Sequence, residues 1–283
     1  MKWLIPLLAS TILCGCGQPP QSPREVKDPA SAETDYAAPG GPPSFMTSTS
    51  VRTPKIQSEN VDRKIGGVQV LGYRAEPEQT APLGAVLLVH EWWGLDESVR
   101  KEADALAGLG YKALAVDLYG GRATANRTEA AQWMDRLEEK TVLATLQAAL
   151  ELLEQAEPDG RRLKIGVVGW GMGVGYALRL AMENKRPAAL AIFYGEVVDA
   201  PERIAKLKCP VLGIFASRDA WVTPARVEAF DQALTAAGVE HEILSLDALP
   251  GFMLHPRDNS EEALAKIARE KLAAFLKEKL TAK

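Results

Sequence analysis

Residues 85–121 read AVLLVHEWWGLDESVRKEADALAGLGYKALAVDLYGG. The segment opens on an unbroken apolar run, the composition of a strand covered on both faces. Asp96 then stands as a helix cap ahead of Val99, Ala103, Leu106 and Ala107, whose spacing makes one apolar helical stripe. Gly108 and Gly110 end that helix, and a second apolar run, 112–117, follows. Strand, helix and strand in such close succession read as part of a mostly parallel sheet with helices on both faces.

The alternation continues outward. Further apolar runs at 163–169, 188–194, 211–216 and 240–246 read as strands, and a leading strand or hairpin is expected around 67–74. Near the C-terminus Asn259 and Glu262 are spaced as a capping box. Leu264, Ala268, Leu272, Leu276 and Leu280 then repeat every four residues, flanked by Ile267 and Phe275. This stripe reads as core packing, with a membrane-surface or partner role as the competing reading. The sequence shows no internal repeat. The expected fold is a single α/β domain over residues 63–283.

With 47% apolar and 25% charged residues, the 283-residue chain has ordinary globular composition. Lys and Arg number 33 against 37 acids, and a net charge of −4 is no footprint for a phosphate backbone. Nucleic acid is therefore not expected as a partner. The cysteines are Cys14, Cys16 and Cys209. The first two fall in a targeting segment, so the folded part keeps one thiol and no pair to bridge.

That segment, MKWLIPLLASTILCGC, has Lys2, a short apolar run to Leu13 and then Cys14-Gly15-Cys16. It is similar to a bacterial lipoprotein signal peptide ending in a lipobox. The resemblance makes residues 1–16 the signal and Cys16 the acylated residue. A plain secretory signal or an N-terminal anchor is the competing reading, although the run is short for a bilayer span. Several acyl chains on Cys16 would hold the protein stably at a membrane. Gly17, rather than Asp, follows Cys16, which resembles outer-membrane sorting and implies a cell-envelope location facing the periplasm. Residues 17–62 are rich in Pro, Ser, Gly and Thr without periodicity and read as a flexible tether.

In open α/β sheets, sites form beyond the carboxyl ends of the strands. The run His90-Glu91-Trp92-Trp93-Gly94-Leu95, followed by GYKALAVDLYGG at 110–121, resembles the dienelactone hydrolase family of α/β-hydrolases. The resemblance extends from about residue 67 to the C-terminus. In that family a cysteine, or sometimes a serine, sits at a strand-to-helix elbow whose backbone N–H groups form an oxyanion hole. The matching turn here is Gly169-Trp170-Gly171-Met172-Gly173. Gly171 occupies the nucleophile position. It has no Oγ or Sγ, so no acyl-enzyme can form there.

The loop Phe215-Ala216-Ser217-Arg218-Asp219 matches the family's acid loop, which makes Asp219 the residue that would orient a histidine. The family's histidine segment corresponds to Ala248-Leu249-Pro250-Gly251-Phe252. Pro250 stands in the base position and offers neither an acid–base group nor an N–H. Glu91 matches the glutamate that, in the family, interacts with the nucleophile. The resemblance thus retains Glu91 and Asp219 and loses the other two roles. Trp92, Trp93, Tyr119 and Met172 are the expected substrate-binding residues, with the Trp92 and Met172 N–H groups as a vestigial oxyanion hole.

The chain's histidines are His90, His241 and His255. His255 follows Pro250 on the same loop and is the best substitute base. Phe252 fixes the register, so a surface or structural role for His255 is expected ahead of catalysis. His90 reads as a packing or hydrogen-bonding residue at the site mouth, and His241 lies at the wrong end of the sheet. Cys209 precedes Pro210 at a strand start, and the strand length removes it by about 20 Å from the functional edge. It reads as a buried structural thiol. Ser217 is nearer the site but has no evident activating histidine.

The string 164–175, KIGVVGWGMGVG, also resembles a dinucleotide-binding turn with Glu196 placed for a ribose hydroxyl, but Val174 stands where that fingerprint needs a small residue. The expectation is a membrane-tethered, monomeric degenerate hydrolase that binds a small carboxylate, ester or lactone, or acts as a scaffold. It needs no cofactor or metal. The alternative is an active carboxylic-ester or lactone hydrolase using Glu91, Asp219 and His255.

Overall fold

The computed structural model describes residues 55–198 and 200–281. The signal segment, Cys16 and most of the tether lie outside them. Eight strands form one sheet: β1 (Ile56–Ile65), β2 (Val68–Pro77), β3 (Ala85–Val89), β4 (Lys112–Val116), β5 (Ile165–Trp170), β6 (Pro187–Phe193), β7 (Val211–Ala216) and β8 (His241–Leu246). Their order is β1-β2-β4-β3-β5-β6-β7-β8. β2 runs antiparallel to β1 and β4, and all other pairs are parallel.

The helices are α1 (Glu97–Gly108), α2 (Arg127–Asp135), α3 (Glu139–Leu153), α4 (Met172–Glu183), α5 (Pro201–Ile204), α6 (Pro224–Ala236) and α7 (Asn259–Thr281). They cover the sheet on two sides. Leu87, Val89, Val167 and Ile192 face one apolar cluster with α3 and α4. Val86, Leu88, Val168 and Ala191 face another with α1 and α7. This period-two division explains why the central strands read as unbroken apolar runs: both of their faces are buried.

Asp96 caps α1 as its position in the sequence implies, its Oδ1 accepting from the N–H groups of Ser98 and Val99. The α7 cap lies one residue earlier than the expected Asn259. Asp258 accepts from the Glu261 N–H at 2.9 Å, and Glu261 in turn accepts from the N–H of Arg257. The N-terminal edge also differs from expectation, because β1 begins at Ile56, inside the stretch assigned to the tether. It is an edge strand with only Val61 buried, held by backbone pairing to β2, so its sequence shows no apolar alternation. Among the described residues no helix is long and apolar enough to cross a membrane.

Candidate active site

The elbow lies where β5 hands over to α4. Gly171 has φ 50° and ψ −117°, a region that side-chain-bearing residues enter only under strain. The backbone is locked around it. The Gly171 N–H donates to the Phe193 carbonyl at 3.1 Å, and its carbonyl accepts from the N–H of Val174. The flanking glycines are sterically required: a Cβ on Gly173 would stand 2.3 Å from the Val89 carbonyl oxygen, and one on Gly195 would stand 2.1 Å from that of Gly171. At Gly171 itself a Cβ would meet no clash. Its nearest neighbours would be atoms of Glu91 in ordinary van der Waals contact, Cγ at 3.4 Å and the carboxyl carbon at 3.8 Å. The turn thus places a residue without a side chain against Glu91.

Met172 and Gly173 open α4, so their N–H groups belong to the turn that a helix leaves without internal partners. Met172 is half-buried, and its sulfur accepts from the Tyr119 hydroxyl at 3.4 Å. Trp92 is half-buried beside the Trp93 ring, their centroids 4.7 Å apart. Trp93 and Tyr119 are each only 3% exposed, which leaves little of either ring for a ligand to touch. Val174, the residue that spoils the dinucleotide fingerprint, is fully buried beneath Gly195.

Asp219 is buried, and its Oδ1 accepts from the N–H groups of Trp221 at 2.8 Å and Val222 at 3.0 Å. Its loop is stitched to the segment before Pro250: Ser217 N–H donates to the Leu246 carbonyl and Arg218 N–H to that of Ala248. The chain therefore brings the Asp219 loop and the segment before Pro250 together. The Pro250 carbonyl accepts from Arg257 at 2.6 Å.

Of the surface or structural role expected of His255, the fold excludes the surface one. It is 8% exposed, because Phe252, Met253 and Leu254 are all buried and carry the chain inward, and its N–H closes a turn onto the Gly251 carbonyl. Its Nε2 lies 3.6 Å from Glu91 Oε2 and 3.4 Å from Asp96 Oδ2, while Nδ1 lies 3.3 Å from Ser98 Oγ. Burial pushes the His255 imidazole below its usual range, against the pull of Asp96. Glu91 is 1% exposed. Burial, aided by the Asp96 charge, pushes its carboxyl up to about 8, with Tyr194 and Arg257 favouring the charged form. Asp96, Ser98 and Tyr194 carry no motif of their own, and Asp96 reads in the sequence only as a helix cap. The one sequence signal for the cluster was the apolar run GFML immediately before His255.

The remaining histidines serve structure. His90 is fully buried rather than at the mouth, its Nε2 accepting from the Leu118 N–H at 3.1 Å. His241 sits at the start of β8, 3.1 Å from Asp231. Cys209 is buried, with its thiol pushed up to about 11 by desolvation.

The strand order, the elbow after β5 and the acid loop after β7 together define an α/β-hydrolase. The chain belongs to the dienelactone hydrolase family, whose model matches residues 70–280. Protein usf of Aquifex pyrophilus is 28% identical over 232 residues, covering 78% of this chain and 98% of that protein. A protein of Escherichia coli strain K12 named for carboxymethylenebutenolidase activity is 26% identical over 267 residues, 88% of this chain and 97% of its own. Among solved structures, one described as a dienelactone hydrolase from Klebsiella pneumoniae superposes with a TM-score of 0.70 at 24% identity, covering 78% of this chain and 98% of that one.

Proposed function

We propose that this protein is a degenerate member of its family: a monomeric lipoprotein, acylated at Cys16 and tethered at the periplasmic face of the outer membrane, that binds a small carbonyl or carboxylate compound. The observation that carries this reading is the Gly171 elbow. Its backbone holds the conformation of a nucleophile turn and a Cβ would fit there without a clash, yet it has no atom able to attack a carbonyl. Pro250 removes the matching base. The ligand would rest on the N–H groups at the start of α4, with the Trp92 ring beside it.

The test is to offer the purified protein a panel of lactones, esters and carboxylates, following binding by ligand-observed NMR and turnover by product release. Binding without turnover is expected. Clear esterase turnover that is abolished by changes around Gly171 would overturn the reading. Anchoring is tested separately: Cys16→Ala should move the protein from the detergent phase to the aqueous phase on phase separation.

The juxtaposition of His255 and Glu91 favours a second reading, in which Glu91 activates water for direct hydrolysis beside the vacant elbow. That reading requires Glu91→Gln or Asp219→Asn to lower turnover far more than stability. Equal activity in both variants and the parent would reject it.

A further inference from the structure

A cavity of about 360 Å³ lies on the α3 side of the sheet, where β2, the chain leaving β4 and the α2–α3 connection meet. Neither Glu91 nor Gly171 lines it, so it is a different place from the elbow. It opens beyond the carboxyl end of β4, the end at which α/β sheets place their sites, and its volume is that of a small-molecule pocket. Leu71, Leu118 and Leu137 are half-buried around it, and Val142 is buried. Arg136, the C-cap of α2, reaches the same cavity, and among the described residues its guanidinium has neither an ion pair nor a hydrogen bond. α3 starts at this rim with Glu138 as an N-cap that makes no side-chain bond, so the first N–H groups of the helix are uncapped. Two acids also line the cavity. Both Asp117 oxygens are engaged, by the N–H groups of Tyr119 at 2.8 Å and of Gly121. Glu138 is exposed, where salt and solvent screen it, and its Oε2 lies 3.5 Å from Thr141 Oγ1. The uncommitted groups are therefore donors, Arg136 foremost.

We infer that this cavity is a second binding site and that it takes an organic anion, a carboxylate at the Arg136 rim with an apolar body against Leu71, Leu118 and Leu137. The inference is independent of the elbow. A guanidinium meets a carboxylate through two parallel N–H···O bonds, and a carboxylate at this rim also lies at the positive end of α3. The apolar body covers leucine surface that the fold leaves facing water. A cation of the same shape would set a like charge against Arg136 and find the Asp117 oxygens already engaged. A neutral alcohol would keep the apolar contact and leave Arg136 unpaired. Because Arg136 is exposed, its share of the affinity is modest and sensitive to salt.

The experiment uses the full-length protein in detergent, with Leu, Val and Met methyl groups labelled for NMR, and three probes of one shape: phenylpropanoate, phenylpropylammonium and phenylpropanol. At neutral pH and low salt the anion is expected to shift the methyl signals of Leu71, Leu118, Leu137 and Val142. It should bind about fivefold tighter than the alcohol, with the ammonium weakest. Arg136 is exposed and holds no other group, so Arg136→Ala should fold as the parent does and lower the anion's affinity about fivefold, to the alcohol's level. Raising the salt should narrow the same gap in the parent. An ammonium that binds as tightly as the anion, an anion no tighter than the alcohol, or an anion affinity unchanged in Arg136→Ala would overturn the inference. Shifts at Met172 and Val174 with the cavity methyls silent would also overturn it and leave the elbow reading standing. Cavity shifts with Met172 and Val174 silent would support this site while telling against a carboxylate at the elbow. Silence at both places would overturn the inference as well.

Discussion

His255 Nε2 stands 3.6 Å from Glu91 Oε2, a buried histidine beside a buried glutamate that no ordinary hydrogen bond joins. The pair links the segment before α7 to the loop after β3, and burial shifts each group. Burial raises Glu91 from its usual value to about 8. A folded-state value above the unfolded one makes the stabilisation full below about pH 4.5. It is lost progressively as pH rises and is gone once pH passes 8. Denaturant unfolding at pH 5 and pH 8.5 should therefore show Glu91→Gln gaining on the parent at the higher pH, by an amount on the order of a few kcal/mol. A constant difference between the two proteins across that range would contradict the assignment.

The same linkage gives His255 the opposite sign. Burial lowers its folded-state value, so the neutral ring's contribution is present above the unfolded value of 6.5 and is lost as pH falls through the folded one. His255→Gln should flatten the acid limb of the stability curve below about pH 6.5. An unchanged acid limb would show that His255 is not what titrates there.

The elbow glycines should differ sharply on substitution. Gly171→Ala places its Cβ in ordinary contact with Glu91 and bears the cost of a strained backbone, about 1–3 kcal/mol. Gly173→Ala drives its Cβ into the carbonyl oxygens of Val89 and His90, at 2.3 Å and 2.8 Å. Because rigid backbone must shift, its cost should exceed that of Gly171→Ala, in the upper part of the overpacking range of about 1–3 kcal/mol or beyond. Equal melting temperatures for the two variants would refute the account of the elbow.

Cys209 offers an independent check of the core. A buried thiol held near 11 has almost no thiolate at neutral pH. Peptide mapping after iodoacetamide treatment should find Cys209 unmodified in native protein and alkylated in guanidinium. Rapid labelling in the native state would place it nearer the surface than the fold does.

Much of this architecture is legible in the sequence because burial on both faces leaves an unmistakable apolar signature. Residues 85–90, 112–117 and 211–216 were read as strands, and β3, β4 and β7 stand there. β1 is not legible in the same way: an exposed edge strand is specified by its backbone bonds to β2, which leave IQSENVDRKI free to be polar. The reading of Gly171 and Pro250 as occupying the nucleophile and base positions rests on the surrounding residues, which resemble the family's segments. His255 could not be placed, since sequence spacing does not report that Phe252, Met253 and Leu254 turn inward and draw the histidine to Glu91.

The central claim is that the elbow keeps the frame of a hydrolase site and lacks its reacting groups. It is tested most directly by the initial rate of activated-ester and lactone hydrolysis by the parent beside a Gly171→Cys, Pro250→His double variant. Clash-free room for a Cβ at Gly171 and the Asp219 loop stitched to the Pro250 segment predict hydrolysis by the double variant alone, with an acylated cysteine detectable by mass spectrometry. Turnover by the parent equal to that of the double variant would contradict the claim.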